Sequence, residues 1–296
     1  MVSSNVMSQE RLEASLDIDR RSAREIVRII QEQDALVAAA VAAEADRIAH
    51  AIEQIAGRLS HGGRLFYVGA GTSGRIAMLD ASELPPTYGI DPSLVPVLMA
   101  GGEHAFLNAV EGAEDDEDAA IEAVNAEVKA EDAVVGVAAS GTTPYTVAAI
   151  RRANMLGALT VAVTSNPSSP LASEADISIA PQTGPEVIMG SSRMKSGTAQ
   201  KLVLNTISTG VMIRLGRVYS NLMTDMPATN EKLRNRAVRM VELAAGVQRP
   251  AAVQAMRDAD GNVKLATVMA KKKIALDDAR ALLDAHRGNL REVLET

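Results

Sequence analysis

Leu65-Phe-Tyr-Val-Gly-Ala-Gly-Thr-Ser-Gly74 decides how the rest of the chain is read. Four apolar residues in a row, with no polar alternation, predict a strand covered on both faces, and the glycine turn behind them opens a helix. Strand, tight turn and helix are the opening unit of a parallel α/β sheet. The same pattern recurs at Leu94–Leu98, Ala133–Ala138, Leu159–Thr164 and Ile177–Ala180, each run followed by a Gly, Ser or Thr cluster and then a helical segment. No hairpin turn joins these runs, so they predict a doubly wound five-stranded parallel sheet with flanking helices, an α/β domain over residues 45–216. Upstream, Ala23, Ile26, Val27 and Ile30 fall at i, i+3, i+4 and i+7, the spacing of one buried helix face, with a break near Asp34 and a stop at His61-Gly-Gly63. Residues 1–44 therefore form an N-terminal helical segment. Downstream, helices are expected over 195–217 and 230–246. Three or four short helices punctuated by Pro250, Gly261 and Gly288 complete a small C-terminal helical region, 217–296.

Composition removes several classes of function. The 296 residues carry 30 basic and 37 acidic side chains, a net charge of −7, so the basic footprint of a nucleic-acid binder is missing. Two Phe, four Tyr and no Trp leave little to stack on exposed bases. Without cysteine there is no thiolate nucleophile, disulfide or Cys-based zinc site. The first 19 residues are polar and acidic, unlike a signal peptide, and no run approaches the roughly 20 apolar residues that span a bilayer. A cytoplasmic protein without membrane or nucleic-acid partners is expected. His50, His61, His104 and His286 are scattered, and no His–carboxylate cluster has metal-ligand spacing, so neither a metal nor a cofactor is expected. The Glu114–Asp118 run suits an acidic first helical turn, and Lys271–Lys273 a solvated helix face.

Gly69-Ala-Gly-Thr-Ser-Gly74 satisfies G-x-G-x-x-G, yet Thr72 and Ser73 stand where a dinucleotide fold wants small apolar residues. Arg75 and Ile76 likewise replace the Lys and Ser/Thr of a Walker loop. The hydroxyl-rich turn recurs instead. Ser140-Gly-Thr-Thr-Pro144 follows the third strand, and Gly190-Ser-Ser-Arg193 precedes the helix beginning near Lys195. In a parallel sheet all three lie at the carboxyl edge, where helix N-termini offer N–H donors to an anion and hydroxyls add more. Gly71, Thr72, Ser73, Ser140, Thr142, Thr143, Ser191, Ser192 and Lys195 are thus candidate ligands of one small phosphate monoester. The plainer alternative is that these Ser and Thr residues only cap helices.

Several motifs together carry a resemblance: Val68–Arg75 leading into Leu79-Asp-Ala-Ser-Glu83 and Pro85-Pro-Thr-Tyr88, Val110–Glu114, Ala139–Tyr145, Gly190–Lys195, Gly197-Thr-Ala-Gln-Lys-Leu202 and Ala228-Thr-Asn-Glu-Lys232. Over about residues 15–245 the chain resembles the N-acetylmuramic acid 6-phosphate etherase family, and the tail resembles that family's helical C-terminal region more loosely. Many members of that family have Arg where Thr142 stands and Cys where Leu84 stands. The resemblance implies a sugar isomerase (SIS) fold, a homodimer, and conversion of N-acetylmuramic acid 6-phosphate and water into N-acetylglucosamine 6-phosphate and D-lactate in peptidoglycan recycling. It also implies Glu83 as proton donor and Glu114 as the second active-site carboxylate.

The chemistry needs two such groups. Once the sugar ring opens, the C1 carbonyl acidifies the C2 proton; one carboxylate accepts it while the other protonates the departing lactate oxygen. Spacing alone does not choose Glu114 over Glu103, Glu111 or Asp115; the resemblance does. His104 is the one histidine near a strand-end loop and is a candidate aid to ring opening. Glu83, nine residues past Gly74, stands up to about 13 Å along a helix from the first loop. A site shared between two subunits would bring phosphate and carboxylate together. Pro85-Pro86 is expected to end that helix just beyond Glu83. The alternatives on the same scaffold are a non-catalytic SIS-domain regulator that binds a sugar phosphate, and an aldose–ketose isomerase.

Overall fold

In a computed structural model, residues 10–228 and 230–295 are described; the first nine residues of the polar amino-terminal stretch, Thr229 of the Ala228–Lys232 motif and Thr296 lie outside them. Five strands, β1 (Leu65–Gly69), β2 (Val97–Met99), β3 (Ala133–Val137), β4 (Leu159–Val163) and β5 (Ile177–Ile179), form one all-parallel sheet in the order β2-β1-β3-β4-β5. Every residue of β1, β3 and β4 is buried, as continuous apolar strands with helices on both faces require. Gly69 pairs in register with Met99 and Val137, and Val137 with Val163, so the strands end level with one another and release their loops at a common edge. β2 is shorter than Leu94–Leu98: Leu94 belongs to a 3₁₀ turn, Pro92–Leu94, and Pro96 has no N–H to give a ladder.

The helices are α1 (Ala23–Asp34), α2 (Val37–Ala42), α3 (Ala45–Ser60), α4 (Gly71–Tyr88), α5 (Glu117–Glu127), α6 (Pro144–Met155), α7 (Pro170–Glu174), α8 (Lys195–Arg214), α9 (Glu231–Ala245), α10 (Arg249–Asp258), α11 (Val263–Lys272), α12 (Leu276–Ala285) and α13 (Leu290–Glu295). Their limits follow local chemistry. Ser22 and Glu25 form a reciprocal capping box on α1, and Pro144 sits in the first turn of α6, where its missing N–H costs nothing. α8 stops three residues before Arg217 in a glycine cap: Gly216 is left-handed (φ 70°), and the N–H of Arg217 returns 3.0 Å to the carbonyl of Met212.

Contacts divide the described chain into two units, one of residues up to 81 and 93–208, the other of 82–92 and 209–295. The first holds the sheet. Phe66, Val68, Val124, Val134, Ile150 and Leu171 form a fully buried cluster between strands and helices α5–α7. The second holds α9–α13, packed on Ala237, Val241, Ala252, Val268, Ala279, Leu290 and Val293.

The expected stop at Pro85-Pro86 is not where α4 ends. The helix continues through both prolines to Tyr88, and Gly89 N–H closes on the Pro85 carbonyl at 2.9 Å. The prolines do forgo the bonds their nitrogens would give to the carbonyls of Ala81 and Ser82. Leu84 and Tyr88, four residues apart and both buried, keep the last turn wound.

Candidate active site

The strand order reverses between β1 and β3, and in open α/β sheets this switch point at the carboxyl ends is where ligands bind. The first two hydroxyl loops emerge there side by side. The two edges of the sheet are chemically unlike. At the amino edge the acceptors are used up: Asp132 takes N–H bonds from Arg64 (2.8 Å) and Lys129 (2.9 Å), and Asp176 takes the N–H (2.9 Å) and hydroxyl (3.0 Å) of Thr160. At the carboxyl edge Ser165 Oγ and Gln200 Nε2 are buried without a partner among the described residues.

The first loop is tight because its glycines touch backbone. A Cβ on Gly74 would stand 2.9 Å from the Gly69 carbonyl oxygen and 2.2 Å from Met99 Sδ, so the helix N-terminus lies flush against β1 and β2. Ser73 Oγ donates 3.1 Å to Gln200 Oε1 on α8. In the second loop Ser140 Oγ and Thr142 Oγ1 are 2.9 Å apart and the Thr142 N–H donates to Ser140 Oγ at 3.2 Å, leaving Thr142 exposed and Ser140 half-buried. Gly141 is left-handed (φ 69°), and a Cβ there would fall 2.1 Å from Ser169 Oγ, the N-cap of α7.

The third loop meets the first at Gly197, around which Ser192 O and Thr72 Cγ2 lie within 3.5 and 3.8 Å of a built Cβ. The N-terminus of α8, however, already holds a carboxylate. Buried Glu186 accepts the N–H groups of Lys195 (3.0 Å) and Ser196 (2.9 Å). Lys195 is 1% exposed, and its Nζ donates 3.0 Å to Gln33 Oε1 on α1. Burial holds its ammonium below the usual lysine range, with Glu186 and Asp34 opposing. Sequence patterning missed Glu186 because it lies outside every motif. Gln200 lay inside Gly197–Leu202 without a role.

Of the two carboxylates, Glu114 sits in the 3₁₀ turn Ala113–Asp115 and lines a cavity of about 220 Å³ together with Gly71, Arg75, Asn108 and Glu111. Arg75 fastens this wall: its guanidinium donates to the carbonyls of Phe106 (3.0 Å), Ala105 (2.9 Å) and Asn108 (3.1 Å). Glu111 thus shares the cavity with Glu114, whereas Glu103 and Asp115 do not line it. His104 is exposed in the neighbouring 3₁₀ turn, 3.5 Å from Asn108 Nδ2, and is not among the cavity's lining residues. Glu83 is exposed on α4, among the residues of the second unit. Among the described residues no three His, Asp or Glu side chains converge as metal ligands.

Fold and loops define the class: an SIS-type α/β protein with hydroxyl loops at the switch point. Residues 47–154 match the glucokinase regulatory protein N-terminal SIS domain, and residues 108–209 match the SIS domain. Two N-acetylmuramic acid 6-phosphate etherases are close relatives: that of Symbiobacterium thermophilum is 59% identical over 89% of this chain and 88% of its own, and that of Clostridium beijerinckii 50% identical over 98% and 96%. The chain belongs to the N-acetylmuramic acid 6-phosphate etherase family. Among solved structures, a phosphoheptose isomerase from Francisella tularensis aligns at TM-score 0.48 and 19% identity, over 67% of this chain and 98% of its own.

Proposed function

We infer that this chain cleaves the lactyl ether of N-acetylmuramic acid 6-phosphate with water, giving N-acetylglucosamine 6-phosphate and D-lactate. It is a carbon–oxygen lyase of amino-sugar and cell-wall catabolism. Besides the kinship, the observation that supports it is the cavity in which Glu114 and Gly71 of the first loop face the same space. The 6-phosphate is assigned to Gly71, Thr72, Ser73, Ser140, Thr142, Thr143, Ser191 and Ser192; Lys195, whose N–H is held by Glu186 and whose ammonium is held by Gln33, is given a supporting place behind the third loop. With the ring open, Glu114 accepts the C2 proton, the C3–O bond breaks, and Glu83 protonates the lactate oxygen. Water then adds at C3: Glu83 takes its proton and Glu114 returns one to C2. The two carboxyls start in opposite protonation states and end as they began.

A homodimer with Glu83 of one copy completing the other's site fits the helical distance between Glu83 and the first loop. An exposed apolar groove of about 450 Å³ on the first unit, lined by Val41, Ala42, Ala45, Ala49 and Leu202, is the face assigned to the second copy. Sedimentation of Ala42→Glu tests this: an unaltered dimer would exclude the groove. No helix among the described residues is long and apolar enough to cross a membrane; we place the reaction in the cytoplasm, where charge retains phosphorylated sugars. Incubation with N-acetylmuramic acid 6-phosphate and an assay for D-lactate tests the activity, and no lactate would remove it in favour of a regulator or an isomerase.

A further inference from the structure

Gln200 is 2% exposed, and its side-chain amide is half used: Oε1 accepts the Ser73 proton at 3.1 Å, while Nε2 has no partner among the described residues. A buried amide nitrogen without an acceptor is costly. In this arrangement the Ser73 hydroxyl also points its proton at α8, so that it cannot donate to an anion in the first loop. Both ends change places if the amide makes a half-turn about its last torsion, which leaves Oε1, in place of Nε2, at the unpartnered position. Nε2 then donates to Ser73 Oγ, and the Ser73 proton is released toward the loop. Such a turn is easy, because the amide's two ends are nearly isosteric and the terminal sp³–sp² torsion is broad.

We propose that Gln200 is a positioning residue of the phosphate grip: when phosphate enters the β1–α4 loop, the Gln200 amide turns to donate to Ser73 Oγ, and Ser73 donates its proton to a phosphate oxygen. The proposal rests on the assignment of Ser73 as a phosphate ligand. Gln200 itself touches no substrate; it fixes which way a hydroxyl faces. A donor behind the hydroxyl also polarises it, strengthening the charge-assisted bond in front.

The experiment uses the full chain, with inorganic phosphate as a competitive inhibitor of D-lactate release. Gln200→Met keeps the volume and loses both hydrogen-bonding ends; the expected result is a phosphate inhibition constant and a KM about tenfold higher, with kcat within about threefold. Gln200→Glu keeps the acceptor and loses the amide donor, and is expected to weaken phosphate at least as much, which preserves the test should the Met variant not fold. Ser73→Ala is expected to give a similar loss, and the Ser73→Ala/Gln200→Met double variant no further one, since Gln200 acts only through Ser73. Losses that multiply in the double variant would overturn the proposal, as would unchanged phosphate inhibition in both Gln200 variants. If Ser73→Ala alone left phosphate inhibition unchanged, the assignment of the loop would fall and Gln200's role with it.

Discussion

The proposed reaction is tested at Glu83 and Gly141 from opposite directions, at one by taking away a carboxyl and at the other by adding a methyl. Glu83→Gln keeps the shape and hydrogen-bonding capacity of the side chain but cannot release a proton to the lactate oxygen. Turnover is expected to fall roughly 10²- to 10⁴-fold, the range of general acid catalysis, with phosphosugar binding close to the parent's. Steady-state lactate release beside equilibrium binding of the product phosphosugar checks it; parental turnover would exclude Glu83 as the acid. Gly141→Ala adds no charge and removes none. Its left-handed backbone costs a non-glycine residue about 1–2 kcal/mol, and the new methyl would meet Ser169, which is held in place by its bond to the Ala172 N–H at 3.3 Å. The Ser140–Thr143 loop must move, so KM should rise severalfold together with a lower Tm. A variant with parental KM would separate this loop from the phosphate.

At the scale of elements, much was legible in the chain and the misses share a cause. The five strands stood out because apolar runs such as Ala133–Val137 and Leu159–Val163 leave no polar face to expose. The carboxyl-edge loops followed from connectivity alone. Less legible was anything decided by long-range packing: α4 persists through Pro85-Pro86 because Leu84 and Tyr88 are buried, which no local rule reveals. Glu186 is the same kind of case, a carboxylate placed by the β5–α8 connection onto a helix terminus that the sequence alone would leave free for an anion. Removing it tests that account. Glu186→Ala strips the cap from two N–H groups and is expected to cost about 1–2 kcal/mol, a loss of several degrees in Tm for a domain of this size, whereas Glu186→Gln retains an acceptor and loses less. Thermal unfolding followed by circular dichroism measures both; an Ala variant melting with the parent would show that the α8 terminus is satisfied by other means.

For the molecule as a whole, stability is tested most directly on the polar groups buried in the helical second unit. There Lys264 Nζ lies 2.7 Å from Asp225 Oδ2 and donates 2.9 Å to the Gly216 carbonyl, with Arg217 3.4 Å from Asp225 Oδ1. Burial pushes the Asp225 carboxyl above the usual carboxylate range and the Lys264 ammonium below the usual lysine range, even though each faces the other's charge. Both shifts have the sign of a charged form disfavoured by its surroundings, so desolvation outweighs attraction for each group. Two substitutions with opposite expectations follow. Lys264→Met alone leaves Asp225 with Arg217 as its one charged partner among the described residues and should destabilise by about 3–5 kcal/mol, as breaking a buried pair does. Lys264→Met with Asp225→Leu removes both charges and should recover most of that loss. Urea unfolding of the two variants distinguishes the cases: a double variant no more stable than the single would mean that the pair, despite its desolvation, holds the helices together by attraction.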